Sequence, residues 1–144
     1  MSYKTKRLLY QASVDGISPS IFHQLCEKQG PTVTFALLSD GRILGGFTSL
    51  QWSSTNTYQA DSTAFLFTVP AGTSNVNILK VNSANVGNAT YHHQGYGPTF
   101  GGHDLHLPLQ SPLVVNTNSP HSYPHHGVLS GSALTDVLVW AVKK

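Results

Sequence analysis

The residues most suited to chemistry gather in the second half of the chain: His92-His93, His103, Asp104, His106, His121 and His125-His126. Neutral imidazole ligates metals and shuttles protons near neutral pH, so the cluster raises both possibilities. Its densest part is Gly95-Tyr-Gly-Pro-Thr-Phe-Gly-Gly-His-Asp-Leu-His-Leu107. As a phosphate cradle this run fails. Gly95 and Gly97 fit a dinucleotide fingerprint, but Phe100 stands at the third glycine position. The run ends in an alternating His103–Leu107 segment halted by Pro108, with no helix start to hold an anion. As a metal site it matches no helical His-Glu-x-x-His spacing, and on a strand His103 and His106 would point to opposite faces. A metal would need a bulge or distant loops, with His121, His125 and His126 as the candidate ligands. The competing expectation is that the histidines serve as surface polar groups, with no metal or other cofactor bound.

Nucleophile signatures are equally thin. Val128-Leu-Ser130-Gly131-Ser132 lacks the first glycine of the Gly-x-Ser-x-Gly elbow. Asp15, Asp40, Asp61, Asp104 and Asp136 are scattered rather than paired for acid–base work. Ser, His and Asp are plentiful enough to meet in space, but no spacing assigns a catalytic residue. Cys26 lies on the apolar stripe Ile21, Phe22, Leu25 and Cys26 of a helix, which makes it a packed thiol rather than a nucleophile.

The elements that would position these residues are mostly strands. Leu8–Ser13 opens as a strand. Ser18 caps a helix with Pro19 at its first position, and Gly30-Pro31 stops it. Thr32–Leu38 and Arg42–Thr48 flank Ser39-Asp40-Gly41, a hairpin signal because glycine accepts the positive φ of such turns. Gly45 and Gly46 within the second strand predict a bulge or the close approach of another element. Ala64–Val69 and Val76–Val81 are further strands. Val137–Val142 is apolar on both faces and reads as a central, doubly covered strand. Between Gln110 and Ser132 the chain is rich in Pro, Ser, Asn and His, the composition of a long surface loop.

Composition narrows the function classes. The 144 residues suit one domain, and only 10% of them are charged, far fewer than a typical soluble domain carries. The polar surface must be built from Ser, Thr, Asn, Gln and His, which favours strands and turns. Of eight basic residues, Lys4, Lys6, Arg7, Lys143 and Lys144 sit at the ends, so no basic face for nucleic acid is expected. One cysteine precludes an internal disulfide, and no apolar run reaches the length of a membrane span. The first ten residues lack a signal peptide's apolar core, so a cytoplasmic location is expected, and the chain is expected to be a monomer.

In order, LLYQASVDGISPSIFHQLCEKQGPTVTFALLSDGRILGGFTS, AFLFTV, GPTFGGHDLHL and LTDVLVWAV resemble a TLDc domain, the module of oxidation-resistance proteins, over about residues 8–142. The motif residues are Gly30, Pro31, Gly45, Gly46, Gly97, Pro98, Phe100, Gly101 and Gly102. The resemblance implies a mainly β fold: a two-layer antiparallel β-sandwich with one or two helices packed outside, in one domain spanning 1–144. It also implies a non-enzymatic protein-interaction module protecting against oxidative stress and, in several members, binding the vacuolar proton-pumping ATPase. The chain departs from the family in lacking a Gly-Glu pair before its Phe65-Leu66-Phe67 strand, where Ala60-Asp61-Ser62-Thr63-Ala64 stands. An enzyme using a metal on the His-rich loops, or a sugar-binding sandwich, are the alternatives. Exposed binding residues are expected beside the glycine-rich turn at Tyr96, His103, Asp104 and His106. Asp104 has a second expected role, bonding nearby backbone N–H groups. Phe100 and Leu105 should anchor the turn in the core.

Overall fold

The computed structural model describes residues 4–118 and 120–143. Among these residues eleven strands form two antiparallel sheets, as the family resemblance implied. The larger sheet holds β1 (Lys4–Gln11), β2 (Thr32–Leu38), β3 (Ile43–Thr48), β5 (Phe65–Val69), β6 (Asn77–Lys80), β10 (Val114–Val115) and β11 (Ser132–Lys143). Its order is β1-β11-β2-β3-β5-β6, with β10 paired to the start of β11. The smaller sheet runs in the order β4 (Thr57–Gln59), β7 (Thr90–His92), β8 (Thr99–Phe100), β9 (Leu105–His106).

Side-chain alternation divides β2 cleanly. Thr32, Thr34, Ala36 and Leu38 are buried, whereas Val33, Phe35 and Leu37 are half-buried on the outer face. Leu44 and Leu66, and Val137 and Val139 on β11, join that inner face. They pack with Phe100, Leu105, Leu107 and Tyr123 in one continuous core, so Phe100 and Leu105 are anchors as expected. The hairpin is also as expected: Gly41 at φ +95° donates its N–H to Leu38, and Leu37 pairs with Ile43. Gly46 marks the close approach of another element. A Cβ there would lie 2.6 Å from the Phe100 ring of the opposite layer, so the sheets meet where a side chain is missing.

Helix α2 (Pro19–Cys26) starts where its cap predicts, with Ser18 Oγ accepting from the Ile21 N–H at 3.4 Å. It ends at Cys26, before Gly30-Pro31. Phe22 and Cys26 are buried, and the Phe22 ring meets Tyr10 and Trp52 edge-on. Burial pushes the Cys26 thiol far above its usual range, the state of a packed thiol. A short helix α1 (Ala12–Asp15) follows β1, tied down by buried Asp136. That carboxylate accepts from Ser13 Oγ at 2.6 Å and Gln11 Nε2 at 2.8 Å.

Three expectations need correction. β11 is an internal strand, but it is not covered on both sides: Leu138 and Trp140 on its outer face are only half-buried. β1 begins at Lys4 rather than Leu8, carried past two register shifts by its pairing with β11. The segment between Gln110 and Ser132 is not a surface loop throughout, because Val115, Ser122, Tyr123, His126 and Val128 are buried. Composition marked it as a loop, but its backbone hydrogen bonds are met from inside the protein, as the Asp104 contacts below make clear.

Candidate functional site

The glycine-rich turn builds the most unusual surface of the molecule. Gly97 N–H donates to Leu107 O at 2.9 Å and Leu107 N–H to Pro98 O at 3.1 Å, fastening the base of the β8–β9 hairpin. Gly97 itself lies against Leu107 and Leu109, where a Cβ would meet Leu107 O at 2.5 Å. At the tip Gly101 takes φ +68°, and a Cβ there would stand 2.2 Å from Asp104 Oδ1. Glycine is required on both counts. Gly102 is pressed by the His121 ring in the same way.

Asp104 is fully buried, not exposed. Its Oδ2 accepts from the N–H groups of His121 at 2.8 Å, Ser122 at 3.1 Å and Tyr123 at 3.1 Å. The donors are backbone N–H groups, but they belong to the later loop rather than to the turn itself. Tyr123 Oη then donates to Ala89 O at 2.6 Å, stitching that loop across the smaller sheet. Asp104 is thus a fastener between the turn and the histidine-rich loop, and no part of a contact surface.

His103 overturns the expectation of opposite faces. It has φ +68°, so the segment before β9 is a turn instead of a strand. The His103 ring folds back and stacks on His106 with centroids 4.8 Å apart. Tyr96 closes over both, 4.5 Å from His106 and 5.7 Å from His103. His93 stacks on Tyr96 at 4.4 Å, and Tyr91 joins this group to Tyr58, 4.4 Å away on β4. Six rings therefore tile the outer face of the smaller sheet. Tyr58 is 41% exposed, while His106, paired with Thr99 on the adjacent strand, is buried beneath the others.

Two of the stacked imidazoles are held toward the neutral form. Burial lowers the His106 pKa to about 4, and the neighbouring His103 and His93 add to the effect. Burial also lowers His103, against an opposing pull from Asp104. The Thr99 hydroxyl bonds His106 Nδ1 at 2.9 Å, so this ring has a polar partner without a charged one. Such a face offers apolar rings with hydrogen-bonding edges, suited to contact rather than to bond making.

Beneath the stack a serine, a histidine and a glutamate do meet. His23 Nδ1 lies 2.7 Å from Glu27 Oε2, and Ser54 Oγ bonds the same carboxylate oxygen. In a catalytic triad the carboxylate and the serine occupy different ring nitrogens. Here both crowd Nδ1, while Nε2 faces the carbonyls of His93 and Tyr96 at 2.8 Å each. Because carbonyls only accept, Nε2 holds its proton toward them and is not free to take one from a nucleophile. The cluster ties α2 to the Tyr96 loop.

The proposed metal ligands do not converge. His126 Nε2 bonds Asp104 O at 2.7 Å and its Nδ1 accepts from Val128 N–H, so both nitrogens are engaged. His121 Nδ1 bonds Ser122 Oγ, and His125 is exposed beside a stacked His126. Among the described residues no three His, Cys, Asp or Glu side chains are placed to hold a metal. Nor are the histidines mainly surface polar groups: His23, His92, His106 and His126 are buried. Gly30 (φ +74°) and Pro31, whose carbonyl accepts from Val142 N–H, lead into β2 and join its start to β11.

Sequence reading missed Tyr58 and Tyr91 as members of the site; it counted His93 among the clustered histidines and Asp61 among the scattered carboxylates without assigning either a place there. Two-residue alternation around Tyr58 and Tyr91 was a usable signal for the first two. Asp61 stands where the family's Gly-Glu pair would lie. It accepts from Thr48 Oγ1, Ser49 N–H and Thr63 Oγ1 at 2.6–2.8 Å. Burial alone would raise its pKa, but these hydrogen bonds hold it below the usual carboxylate range. The chain therefore has a local carboxylate anchoring the approach to β5.

Comparison with known proteins agrees with this architecture. Curated relatives include the MTOR-associated protein MEAK7 of Xenopus laevis, 39% identical over 66 residues, and that of Danio rerio, 36% identical over 63. Each match covers 44% of this chain but only 14% of the relative. The family model for the TLDc domain matches residues 2–133. That match takes in every described strand except most of β11, and the chain belongs to the TLDc domain family.

Proposed function

We propose that the chain works as one non-enzymatic TLDc unit acting by protein contact, with the histidine–tyrosine stack as its contact face. The observation that carries this reading is the half-exposed tiling of Tyr58, Tyr91, His93, Tyr96 and His103. Aromatic residues are enriched at protein interfaces because they bury large area with little loss of rotamer freedom. Tyr96 and His103 supply contact area, and His106 and Asp104 position them from below.

The partners that the family suggests are subunits of the vacuolar proton-pumping ATPase, in a role protecting against oxidative stress. The relatives named as MTOR-associated add MTOR as a second candidate partner for this chain. We place the chain in the cytoplasm as a monomer when free. Immobilised chain should recover proton-pump subunits from a detergent extract. Failure to recover any, together with uptake of stoichiometric metal or turnover of a substrate, would transfer the case to the enzyme reading. Half-exposed rings also suit a sugar ring, so saturable binding to a glycan array with no protein captured would favour the sugar-binding alternative.

A further inference from the structure

The turn that carries His93 and Tyr96 into the ring stack is held by one imidazole on α2. His93-Gln94-Gly95-Tyr96 closes through the Tyr96 N–H, which donates to His93 O at 3.1 Å. Within it His93 Nδ1 accepts from Gly95 N–H at 2.9 Å. His23 Nε2 lies 2.8 Å from both carbonyls that end the turn, those of His93 and Tyr96. Carbonyl oxygens only accept, so Nε2 carries a proton. The other ring nitrogen, Nδ1, stands 2.7 Å from Glu27 Oε2.

A bare imidazole nitrogen and a carboxylate oxygen are both acceptors, and they repel at that distance unless a proton lies between them. Ser54 does not supply it, because its one hydroxyl proton goes to Glu27 Oε2 and its oxygen is 3.4 Å from Nδ1. The contacts therefore require two protons, one on Nε2 and one between Nδ1 and Oε2. The Glu27 side chain is 27% exposed against 9% for His23, so the second proton has a path to water. Few groups face this ring. From α2 come Glu27 and the Phe22 ring, from the segment before β4 Ser54, from β7 His92, and from the turn the two carbonyls. Burial first, and the His23 charge after it, lower the His92 pKa to about 4, so His92 does not compete for the proton. Lys28 is exposed and outside the ion pairs of the described residues, which are His23–Glu27 and Arg42–Asp40.

We propose that His23 is a proton-operated clasp: as an imidazolium bonded to Glu27 it pins the His93–Tyr96 turn to α2, and on losing the shared proton it releases Glu27 and slackens its hold on the turn. The neutral ring keeps Nε2–H toward the carbonyls but presents a lone pair to the carboxylate. Ser54 can then turn its hydroxyl to Nδ1 while Glu27 moves into water. Bonds that were charge-assisted become neutral, with about half the strength. His93 stacks on Tyr96, and Tyr96 covers His103 and His106, so slack in the turn reaches those rings. His92 and His106 are buried neutral, whereas His23 works charged. Control of partner binding by this clasp rests on the stack being the contact face; the clasp itself does not.

Nitrogen-15 NMR of histidine-labelled chain reads the clasp directly and needs no partner. At about pH 6 both His23 ring nitrogens should be protonated, while His92 and His106 each show one bare nitrogen. Raising the pH to about 9 should remove the Nδ1 proton of His23, and the His93 and Tyr96 ring signals should shift with the same midpoint. Glu27→Gln is the matched variant, because its amide can donate to Nδ1. There His23 should be neutral throughout, and the coupled shift of Tyr96 should be lost. Ser54→Ala, which removes neither acceptor, should keep both ring protons at about pH 6. A bare Nδ1 in the wild type at about pH 6 would overturn the proposal. So would a His23 titration that leaves His93 and Tyr96 unmoved, or a folded Glu27→Gln chain that titrates like the wild type. These signals do not depend on what binds the stack, so the clasp and the contact-face reading fail separately.

Discussion

At the residue scale, Asp104 and the buried histidines make the sharpest predictions. Asp104→Asn keeps the size but turns an amide donor or a weaker acceptor toward the N–H groups of His121, Ser122 and Tyr123. A charge-assisted hydrogen bond is replaced and a buried donor is left unmatched, which should cost about 2–3 kcal/mol, read as a lower urea midpoint. His92 and His106 predict a pH dependence. Burial lowers both folded pKa values to about 4, so below about pH 6.5 the unfolded chain binds protons that the folded chain refuses. Stability should therefore fall as pH drops through the window from about 6.5 to about 4, by a few kcal/mol in total. Asp61 and Asp136, with folded pKa values held down by their hydrogen bonds, contribute stability above the ordinary carboxylate range. They lose it as pH falls through their folded values, which extends the decline further into acid. Thermal melts across that range check the slope. His92→Gln should flatten it, since glutamine can still reach Ser53 and Thr90 but does not titrate.

At the element scale, the glycines at the layer contact and the turn should outweigh any separable activity. Gly46→Val would drive a side chain into the Phe100 ring, and overpacking of this kind costs about 1–3 kcal/mol. Gly101→Val adds an unfavourable positive φ to a collision with the Asp104 carboxylate, and should abolish soluble expression or a cooperative melt. Gly87, with open space around its Cβ position, should accept alanine with little change in melting temperature. Normal melting of Gly101→Val with binding lost would mean that the turn serves the site rather than the fold. The long strands of the larger sheet, the helix cap and the Asp-Gly hairpin were legible because each rests on local chemistry. The smaller sheet was not, since β8 and β9 are two residues each and exist only through pairing. His103 escaped for the same reason: its left-handed φ breaks an alternation that the residue types alone display. Cys26 could be read because helical spacing is local, whereas the donors to Asp104 are set by tertiary structure.

At the scale of the whole molecule, the sandwich presents two differently built faces: stacked phenol and imidazole rings on the smaller sheet, and a largely apolar outer face with Lys80 exposed on the larger. Membership of the TLDc family makes protein contact the shared expectation, and the stack is where this chain would exercise it. The most direct test is quantitative capture of proton-pump subunits by the wild-type chain and by a Tyr58→Ala, Tyr96→Ala double variant, each shown by melting to be folded. Loss of two interface aromatics should reduce capture about tenfold or more, while Lys80→Glu, on the other sheet, leaves it unchanged. Equal capture by the wild type and the folded double variant would contradict the assignment of the stack as the contact face.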